Sequence, residues 1–279
     1  DRSNFVIMHA ESSRLELVRG DLLPAQRRHR IVDFLQAHGA VTLQQLEHAL
    51  QVSLSTLRRD LDALAADGVV ERTHGGALLR KQGYSTFEPD THSATELSPN
   101  EKRAIGVAAA AALEPQQSVI FDSGTTVLEA ARAVVARGLP LTAVTNDLTI
   151  AQVLGAASGV QVHVLGGMVR PGFSTLLGQG VIEAVAAVRA DVLLCGAHAI
   201  SDDLLSETSA EVAAVKRAFL KAARSKRLLI DASKFRAAAF MRVAALREFD
   251  EVISDAGIAA ADAERVQSLG VRLTLAAAP

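Results

Sequence analysis

The sequence predicts two domains: a small helical domain with a β-hairpin near the N-terminus, and a larger α/β domain built on a mostly parallel sheet. The length of 279 residues exceeds that of one average domain. The first eighty residues show helical periodicity and then a short alternating stretch, whereas apolar runs of strand length alternate with amphipathic segments beyond residue 100. Continuous apolar strands that alternate with helices are typical of a parallel sheet covered on both faces.

Composition and charge limit the partners and the cellular location that the chain can have. The chain is 49% hydrophobic but only 4% aromatic, so its core should be aliphatic, and its net charge of −2 gives no overall attraction to nucleic acid. Only the local field at a contact face decides such binding, so DNA remains a candidate partner. No uncharged apolar stretch reaches the roughly 18 residues of a membrane span, and the N-terminus lacks a signal-peptide pattern. We expect a cytoplasmic protein with a buried Cys195, no internal disulfide, no membrane partner, and no metal or cofactor.

Three short helices are predicted in the first domain. The first begins at Pro24, whose missing N–H costs little in a first turn. The second lies in VTLQQLEHALQ, where Thr42 and Gln45 have the spacing of a capping box. The third begins after Ser53, a good N-cap, and its apolar stripe must face the core. That stripe consists of Leu57, Leu61 and Leu64.

The tight turn between the second and third helices gives the spacing of a helix-turn-helix. Side chains that point away from the leucine stripe, near the start of the third helix, are placed to enter a major groove, where arginine bonds guanine edges or phosphates. A hairpin over residues 69–79 would form a wing. The predicted DNA-binding residues are Ser53, Ser55, Thr56, Arg58, Arg59, Arg72 and His74.

A plainer interpretation of the two adjacent arginines stays open. Two arginines on a helix are usually a solvated face, and Asp60 and Asp62 stand close enough in sequence to pair with them. Residues 24–81 hold eight Lys and Arg against six Asp and Glu, an excess of only two positive charges. What favours DNA binding is the combination of helix, tight turn, helix, basic outer face and wing, which is a winged helix-turn-helix.

Composition also suggests the domain boundaries. Residues 80–100 are polar, aperiodic and contain prolines, which is typical of a linker, and Asn100 is expected to cap the helix that follows. Residues 1–21 show no clear period and are expected to be an added or loosely ordered arm. We therefore predict an arm at 1–23, a winged helix-turn-helix domain at 24–80, a linker at 81–99 and an α/β domain at 100–279.

Strands and helices are expected to alternate in the α/β domain. Ligands of such sheets bind beyond the carboxyl ends of the strands, so the chemistry should lie in the strand-to-helix turns. Strands are predicted at QSVIFD, LTAVTN, VQVHVLG, DVLLCGA, RLLIDAS, DEVISDA and VRLTLA, and helices at EKRAIGVAAAAAL, TTVLEAARAVVARG, DLTIAQVLGAA, 179–188, SAEVAAVKRAFLKAARS and 262–268.

Three of these turns carry polar groups. DSGTT at 122–126 combines backbone N–H groups, hydroxyls and a helix N-terminus, which suits a phosphate, although a glycine turn with a threonine N-cap is the alternative. VTND at 144–147 offers polar side chains, or an aspartate N-cap. LGGMVRPG at 165–172 has two glycines for close approach to a ligand. Lys216 and Lys234 could each reach an anion or be solvated. The candidate ligand-binding residues are Asp122, Ser123, Gly124, Thr125, Thr126, Thr145, Asn146, Gly166, Gly167, Arg170 and Lys216.

These segments resemble the DeoR-type (deoxyribose operon repressor) transcriptional regulators over residues 24–256. TLRRDL with RTHGGA carries the resemblance in the first domain, and FDSGTT, AVTNDLTIA, VHVLGGMVR, AAVKRAFLKAA and LLIDASKF carry it in the second. The family implies a bacterial repressor of sugar or polyol catabolism, a phosphorylated sugar or polyol as effector, and a sensor with the ribose-5-phosphate isomerase fold. By this resemblance residues 41–60 bind DNA, DSGTT holds the phosphate, and Asn146, Gly167 and Lys216 line the sugar site.

The function that we expect is a DNA-binding repressor controlled by a sugar phosphate, and not an enzyme. The alternative is a sugar-phosphate isomerase or deaminase with an added DNA-binding domain, which needs a positioned general base. After the turn at 196–198 no carboxylate follows until Asp202, so the pocket is expected to lack acid–base groups. His198 could act as a base, but a lone histidine in a turn more often forms a hydrogen bond. A DNA-binding module fused to a protein-interaction platform is a third possibility.

Operator DNA and a second copy of the chain are the expected macromolecular partners. One short helix gives little sequence specificity, so we expect a homodimer or homotetramer. Its recognition helices should lie about 34–36 Å apart, or a multiple of that, on one face of the DNA.

Overall fold

The structure, a computed structural model, describes residues 23–38, 40–67, 69–73, 75–79, 88, 91–95 and 97–277. The chain divides into two compact units, residues 1–81 and 82–279, and each is described by itself. His74, the predicted arm up to residue 22 and most of the predicted linker lie outside the described residues.

Three helices and a three-stranded antiparallel sheet form the N-terminal unit. The strand order is β1-β3-β2, with Val70 opposite Leu79 and Thr42 opposite Gly76, so the predicted wing is confirmed and gains a third strand. The leucine stripe of the third helix is fully buried, as predicted. The elements are α1 (Pro24–His38), β1 (Ala40–Thr42), α2 (Leu43–Leu50), α3 (Leu54–Ala66), β2 (Val70–Thr73) and β3 (Gly76–Leu79).

Side-chain N-caps lie at the starts of α2 and α3, as the sequence predicts. Thr42 and Gln45 form the capping box of α2, and Ser53 accepts a hydrogen bond from the Thr56 N–H at the start of α3. Such caps satisfy backbone N–H groups that a helix leaves unpaired in its first turn. The position of α3, whose first turn carries the predicted DNA contacts, is therefore fixed both by its cap and by its buried leucines.

The C-terminal unit is built on a seven-stranded, entirely parallel sheet in the order β15-β14-β12-β9-β4-β5-β6. Aliphatic clusters pack against its two faces, and Cys195 is fully buried, as predicted. The helices are α4 (Thr91–Thr95), α5 (Pro99–Ala111), α6 (Thr125–Ala136), α7 (Leu148–Gly155), α8 (Gln179–Ala186), α9 (Ala210–Ala222) and α10 (Ala260–Ser268). The parallel strands are β4 (Ser118–Phe121), β5 (Leu141–Thr145), β6 (Val160–Val164), β9 (Ala190–Cys195), β12 (Ala223–Leu229), β14 (Glu251–Asp255) and β15 (Arg272–Ala276).

Smaller strands lie outside the parallel sheet. β7 pairs with β8, and β10, β11 and β13 form an antiparallel sheet with an irregular register between Leu205 and Ser206. Sequence patterning did not predict these strands. Their bounds are β7 (Met168–Val169), β8 (Leu176–Leu177), β10 (Ala199–Ser201), β11 (Leu204–Glu207) and β13 (Met241–Ala245).

Two predicted boundaries are wrong. α9 ends at Ala222 and β12 starts at Ala223 without a loop, whereas the sequence predicted helix to residue 225. The alanine-rich sequence there favours helix, but pairing of β12 with β9 decides the conformation. Asn100 is not a cap, because Ser98 is the N-cap of α5 and Pro99 occupies the first helical position.

Among the helices that the structure describes, none combines the length and the apolar composition needed to cross a bilayer.

Candidate functional site

A cleft of about 110 Å³ opens at the carboxyl ends of β4 and β9. The chain runs from β4 through β5 to β6 at one edge, and then returns to β9 on the other side of β4. The loops after β4 and β9 therefore leave the sheet in opposite directions, and such a switch point is where open parallel sheets bind ligands. The topology alone places the cleft at the turn after β4.

The loop of residues 123–126 forms one wall of the cleft. Gly124 is the N-cap of α6 at φ 138°, a conformation that favours glycine, and no side chain caps the helix. The alternative of a threonine N-cap is therefore wrong, and the N–H groups of the first turn are left for another acceptor. Together with the helix dipole and the hydroxyls of Ser123, Thr125 and Thr126, they form a site suited to an anion.

Lys216 of α9 points into the same cleft and is 3% exposed, so it is not a solvated surface lysine. Its Nζ donates to a carboxylate oxygen of Asp122, donates to the Gly196 carbonyl at 2.9 Å, and lies 3.4 Å from Glu207. Burial alone would lower the pKa of Lys216, but the carboxylates of Asp122 and Glu207 outweigh burial and raise it above the usual value. The cleft therefore holds a permanent ammonium charge.

Glu207, at the end of β11, supplies a carboxyl group that the sequence analysis missed. Its Oε1 accepts a hydrogen bond from the His198 N–H at 3.2 Å. Burial raises the pKa of Glu207 from 4.5 to about 7. Lys216 does not cancel this shift, because its ammonium lies closer to Asp122 than to Glu207. The expectation that the pocket lacks a carboxylate beside residues 196–198 is therefore wrong.

Arg170 lines the opposite part of the cleft wall and is paired through another carboxylate. Its Nη1 donates to Oε2 of Glu88 at 2.9 Å, and its guanidinium stacks 3.8 Å above the centre of the Phe173 ring. The hydroxyl of Thr208 donates to the same Glu88 oxygen at 2.8 Å. Glu88 belongs to the predicted linker, so part of that segment contributes to the cleft.

Asp147 both caps α7 and faces the cleft. It accepts hydrogen bonds from the N–H groups of Thr149 and Ile150 at 2.9 and 3.1 Å, so the N-cap interpretation is confirmed. Burial raises the pKa of Asp147 against backbone hydrogen bonds from Ile150, Thr149 and Gly124, and the nearby Asp122 adds to the rise. An anion bound at residues 123–126 would therefore favour the neutral form of this carboxyl.

Five predicted ligand-binding residues do not line the cleft. Asp122 lies behind it as the partner of Lys216. Asn146 is 1% exposed and donates to the Leu176 carbonyl, while Thr145 accepts from the Asp147 N–H. The glycines at 166 and 167 also lie outside the lining. A Cβ on Gly167 would meet the Leu177 carbonyl oxygen at 2.5 Å, so close packing of the chain on itself, and not on a ligand, requires glycine there.

All of the remaining predicted residues line the cleft: Ser123, Gly124, Thr125, Thr126, Arg170 and Lys216.

His198 forms hydrogen bonds, the alternative that the sequence analysis gave to a role as a base. Arg236 donates to the His198 carbonyl and approaches its ring nitrogen to 3.2 Å. Distant segments that carry no local motif supply the rest of the lining, and only spatial proximity identifies them. The missed polar residues are Glu88, Thr91, Thr149, Thr175, Glu207 and Arg236.

The candidate nucleic-acid interface is a separate surface on α3. Ser53 lies within 3.1 Å of Ser55 and 3.0 Å of Thr56 through their hydroxyl groups. Arg58 and Arg59 are exposed, and in the part of the chain that the structure describes neither has an ion-pair partner. The suggested pairing with neighbouring aspartates is wrong, because Asp60 pairs with Arg27 and Asp62 pairs with Arg72.

Family models match both parts of the chain. The model of the DeoR-like helix-turn-helix domain matches residues 27–83, and that of the DeoR C-terminal sensor domain matches residues 97–256. The chain is 32% identical to the HTH-type transcriptional repressor GlcR of Bacillus subtilis, over 82% of this chain and 88% of that protein. It is 29% identical to a putative aga operon transcriptional repressor of Escherichia coli O157:H7 (90% and 93%) and 28% identical to the glycerol-3-phosphate regulon repressor of Escherichia coli K12 (83% and 90%).

Solved structures give weaker matches. Ribose 5-phosphate isomerase A from Methanocaldococcus jannaschii matches 48% of this chain and 53% of its own at a TM-score of 0.36 and 12% identity. The translation initiation factor eIF-2B of Pyrococcus horikoshii OT3 matches 86% and 91% at a TM-score of 0.45 and 12% identity. The fold description therefore rests on the strand order itself, and the family assignment rests on the two domain models and the full-length relatives. The chain belongs to the DeoR family of transcriptional regulators.

Proposed function

We propose that the protein is a DNA-binding transcriptional repressor whose affinity for its operator is controlled by a phosphorylated sugar or polyol in the C-terminal cleft. The observation that carries this proposal is the uncapped N-terminus of α6, which shares one cleft with Lys216 and Arg170. Backbone donors, a helix dipole and cations around one point recognise a phosphate without any catalytic group.

The outer face of α3 supports the DNA-binding part of the proposal. Its first half exposes hydroxyls and two arginines, while its opposite side is anchored in the core by three leucines. This is the placement from which a recognition helix reads base edges in a major groove. Arg72 in the wing is 30% exposed and paired with Asp62, so it suits a supporting contact to phosphate rather than a base contact.

The cleft supports the ligand part. Hydroxyls, carboxyls and cations surround it, as recognition of a polyhydroxylated anion requires. One relative at 28% identity is named for a regulon of glycerol 3-phosphate, a phosphorylated polyol. A homodimer or homotetramer would place two copies of α3 on one operator, which is why we include oligomerisation in the proposal.

An enzyme remains the second candidate function, and Glu207 is the observation that favours it. A buried carboxyl with a pKa of about 7 has the properties of a general base, and Lys216 lies 3.4 Å away. The same groups, however, satisfy one another through Asp122 and the backbone of residues 196–198. A network that is internally paired suits a rigid binding cleft at least as well as proton transfer.

Thermal unfolding of the full chain against a panel of sugar and polyol phosphates tests the proposal. We expect one or a few of these compounds to raise Tm, because a ligand that binds only the native state stabilises it. Thr125→Val should abolish this shift by removing a hydroxyl at the anion loop. Thr142→Val, the same change on β5 outside the cleft, should retain it.

Two results would contradict the proposal. One is a panel in which no phosphorylated compound raises Tm while a neutral sugar does. The other is turnover of ribose 5-phosphate at a rate typical of enzymes, about 1–1,000 s⁻¹, which would establish the isomerase instead.

A further inference from the structure

Glu88 and the short helix α4 lie early in the C-terminal unit and contribute to the lining of the cleft. We call Glu88 and α4 (Thr91–Thr95) the strap. The N-terminal unit ends at residue 81, so only residues 82–87 separate it from Glu88. Glu88, Thr91 and Ala94 of the strap all line the cleft. Whatever moves the strap therefore acts on the chain within a few residues of the DNA-binding unit.

Polar contacts hold the strap at three residues: Glu88, Thr91 and Ala94. Glu88 accepts from Arg170 at 2.9 Å and from Thr208 at 2.8 Å. The Thr91 N–H donates to the Gly172 carbonyl at 3.2 Å. The strap therefore contacts both the loop after β7, at Arg170 and Gly172, and Thr208, which follows β11.

A third point of attachment is buried. Nζ of Lys102, at 3% exposure, donates to the Ala94 carbonyl at 2.5 Å. A buried ammonium at the last turn of α4 satisfies a carbonyl that the helix leaves unpaired. This end of the strap is anchored to α5, whereas the Glu88 end depends on an ion pair.

Four cationic side chains line the cleft: Arg170, Lys216, Lys234 and Arg236. Lys216 and Arg170 differ in how firmly their carboxylate partners are fixed. Lys216 is paired with Asp122 and Glu207, which lie in or next to strands and are at most 4% exposed together with the lysine. Arg170 is paired with Glu88, and these side chains are 20% and 24% exposed. Since a partly exposed ion pair contributes little to stability, Arg170 is the one of these two cations that a ligand can recruit at the lower cost.

We infer that Glu88 is an internal competitor of the effector, and that an anionic ligand recruits Arg170 and releases the strap from the cleft. This inference rests on the proposed function, and it supplies a route from the cleft to the DNA-binding unit. A phosphate offers a guanidinium a stronger, bidentate partner than one carboxylate oxygen does. A dianion in the cleft also repels the Glu88 carboxylate. Both effects favour a state in which the ligand has replaced Glu88 as the partner of Arg170 over a state in which both are bound.

Isothermal titration of the full-length protein with inorganic phosphate tests the competition. Glu88→Gln should bind phosphate about 1.5- to 5-fold more tightly than the wild type, the range expected for loss of one partly exposed ion pair. Glu114→Gln removes the same charge at an exposed position outside the cleft and should bind like the wild type. In an Arg170→Gln background the gain from Glu88→Gln should disappear, because the contested cation is absent.

Hydrogen exchange of the peptide 88–95 tests the release. Phosphate should accelerate exchange of this peptide in the wild type, because the Thr91 N–H loses its partner. In Glu88→Gln the exchange should already be fast without phosphate. Slower exchange on adding phosphate would mean that the strap closes over the ligand, and would overturn the inference.

The possible failures can be told apart. If phosphate binds to the wild type and Glu88→Gln binds it equally or more weakly, competition is disproved while the anion site stands. If neither protein binds phosphate at millimolar concentrations, the anion site itself is wrong, and the inference is overturned with it.

Discussion

The arginines of the N-terminal unit fall into two groups by their partners. Arg27 and Arg72 are held by Asp60 and Asp62, whereas Arg58 and Arg59 are exposed on the first half of α3 and have no ion-pair partner among the described residues. An arginine kept in water with its donors unused is available to a base or a phosphate at little desolvation cost. The charge pattern of the sequence could not make this distinction, because it showed only that two aspartates were near.

Replacing Arg58 by alanine tests the recognition face. If Arg58 reads a base, operator affinity should fall by about 1–3 kcal/mol, with relaxed preference at one position of the site. Binding curves at several salt concentrations, on the operator and on variants of it, measure both effects. Arg30→Ala, which removes an exposed arginine from α1, is the matched control and should bind almost normally. Unchanged operator affinity for Arg58→Ala would show that this arginine is merely solvated.

The individual residues of the cleft show which lining residues can be predicted from a sequence. Residues 123–126 were predictable because turn glycine, hydroxyls and helix start are contiguous. Glu88 and Glu207 were not, since each acts through a partner far away in the chain: Glu88 through Arg170 and Thr208, and Glu207 through Lys216 and His198. Asn146 and Gly167 were predicted as ligand contacts but lie outside the cleft lining, and a local motif does not show how its residues pack in the fold.

At the scale of elements, the paired aspartates decide how α3 is held. Asp60 is 5% exposed and joins α3 to Arg27 of α1 through two hydrogen bonds. Asp62 is exposed and joins α3 to the wing. Removing one partner of a buried pair leaves an uncompensated charge, whereas an exposed pair contributes little.

Asp60→Ala should therefore destabilise α3 by about 3 kcal/mol, and Asp62→Ala by less than about 1 kcal/mol. Hydrogen exchange of a peptide covering residues 57–64 in the full chain measures this locally, without assuming that the two units unfold together. Equal protection in the two variants would contradict the role that we assign to the α1–α3 ion pair.

The strands of the parallel sheet were predictable and the antiparallel strands were not. Each strand of the parallel sheet was predicted from the alternation of strand-length segments with helices. The antiparallel strands β10, β11 and β13 were missed, although β11 carries Glu207 into the cleft. The transition from α9 to β12 was misplaced, because tertiary pairing with β9 overrides the helical preference of alanine and lysine.

For the molecule as a whole, we propose coupling between a DNA-reading face and an anion-binding cleft that lie in separate compact units. Coupling between two such sites is a free energy, and it must act in both directions: a ligand that weakens DNA binding is itself bound less tightly in the presence of DNA. The strap offers the physical connection, because it belongs to the cleft and stands next to the DNA-binding unit in the chain.

The most direct test is the affinity of the full-length protein for operator DNA, measured by fluorescence anisotropy with and without the phosphorylated compound that raises its Tm. The operator would come from footprinting of genomic fragments. Saturating ligand should raise the operator Kd by about 5- to 150-fold in the wild type and leave it unchanged in Thr125→Val. An operator Kd that is the same at zero and saturating ligand in the wild type would contradict the account.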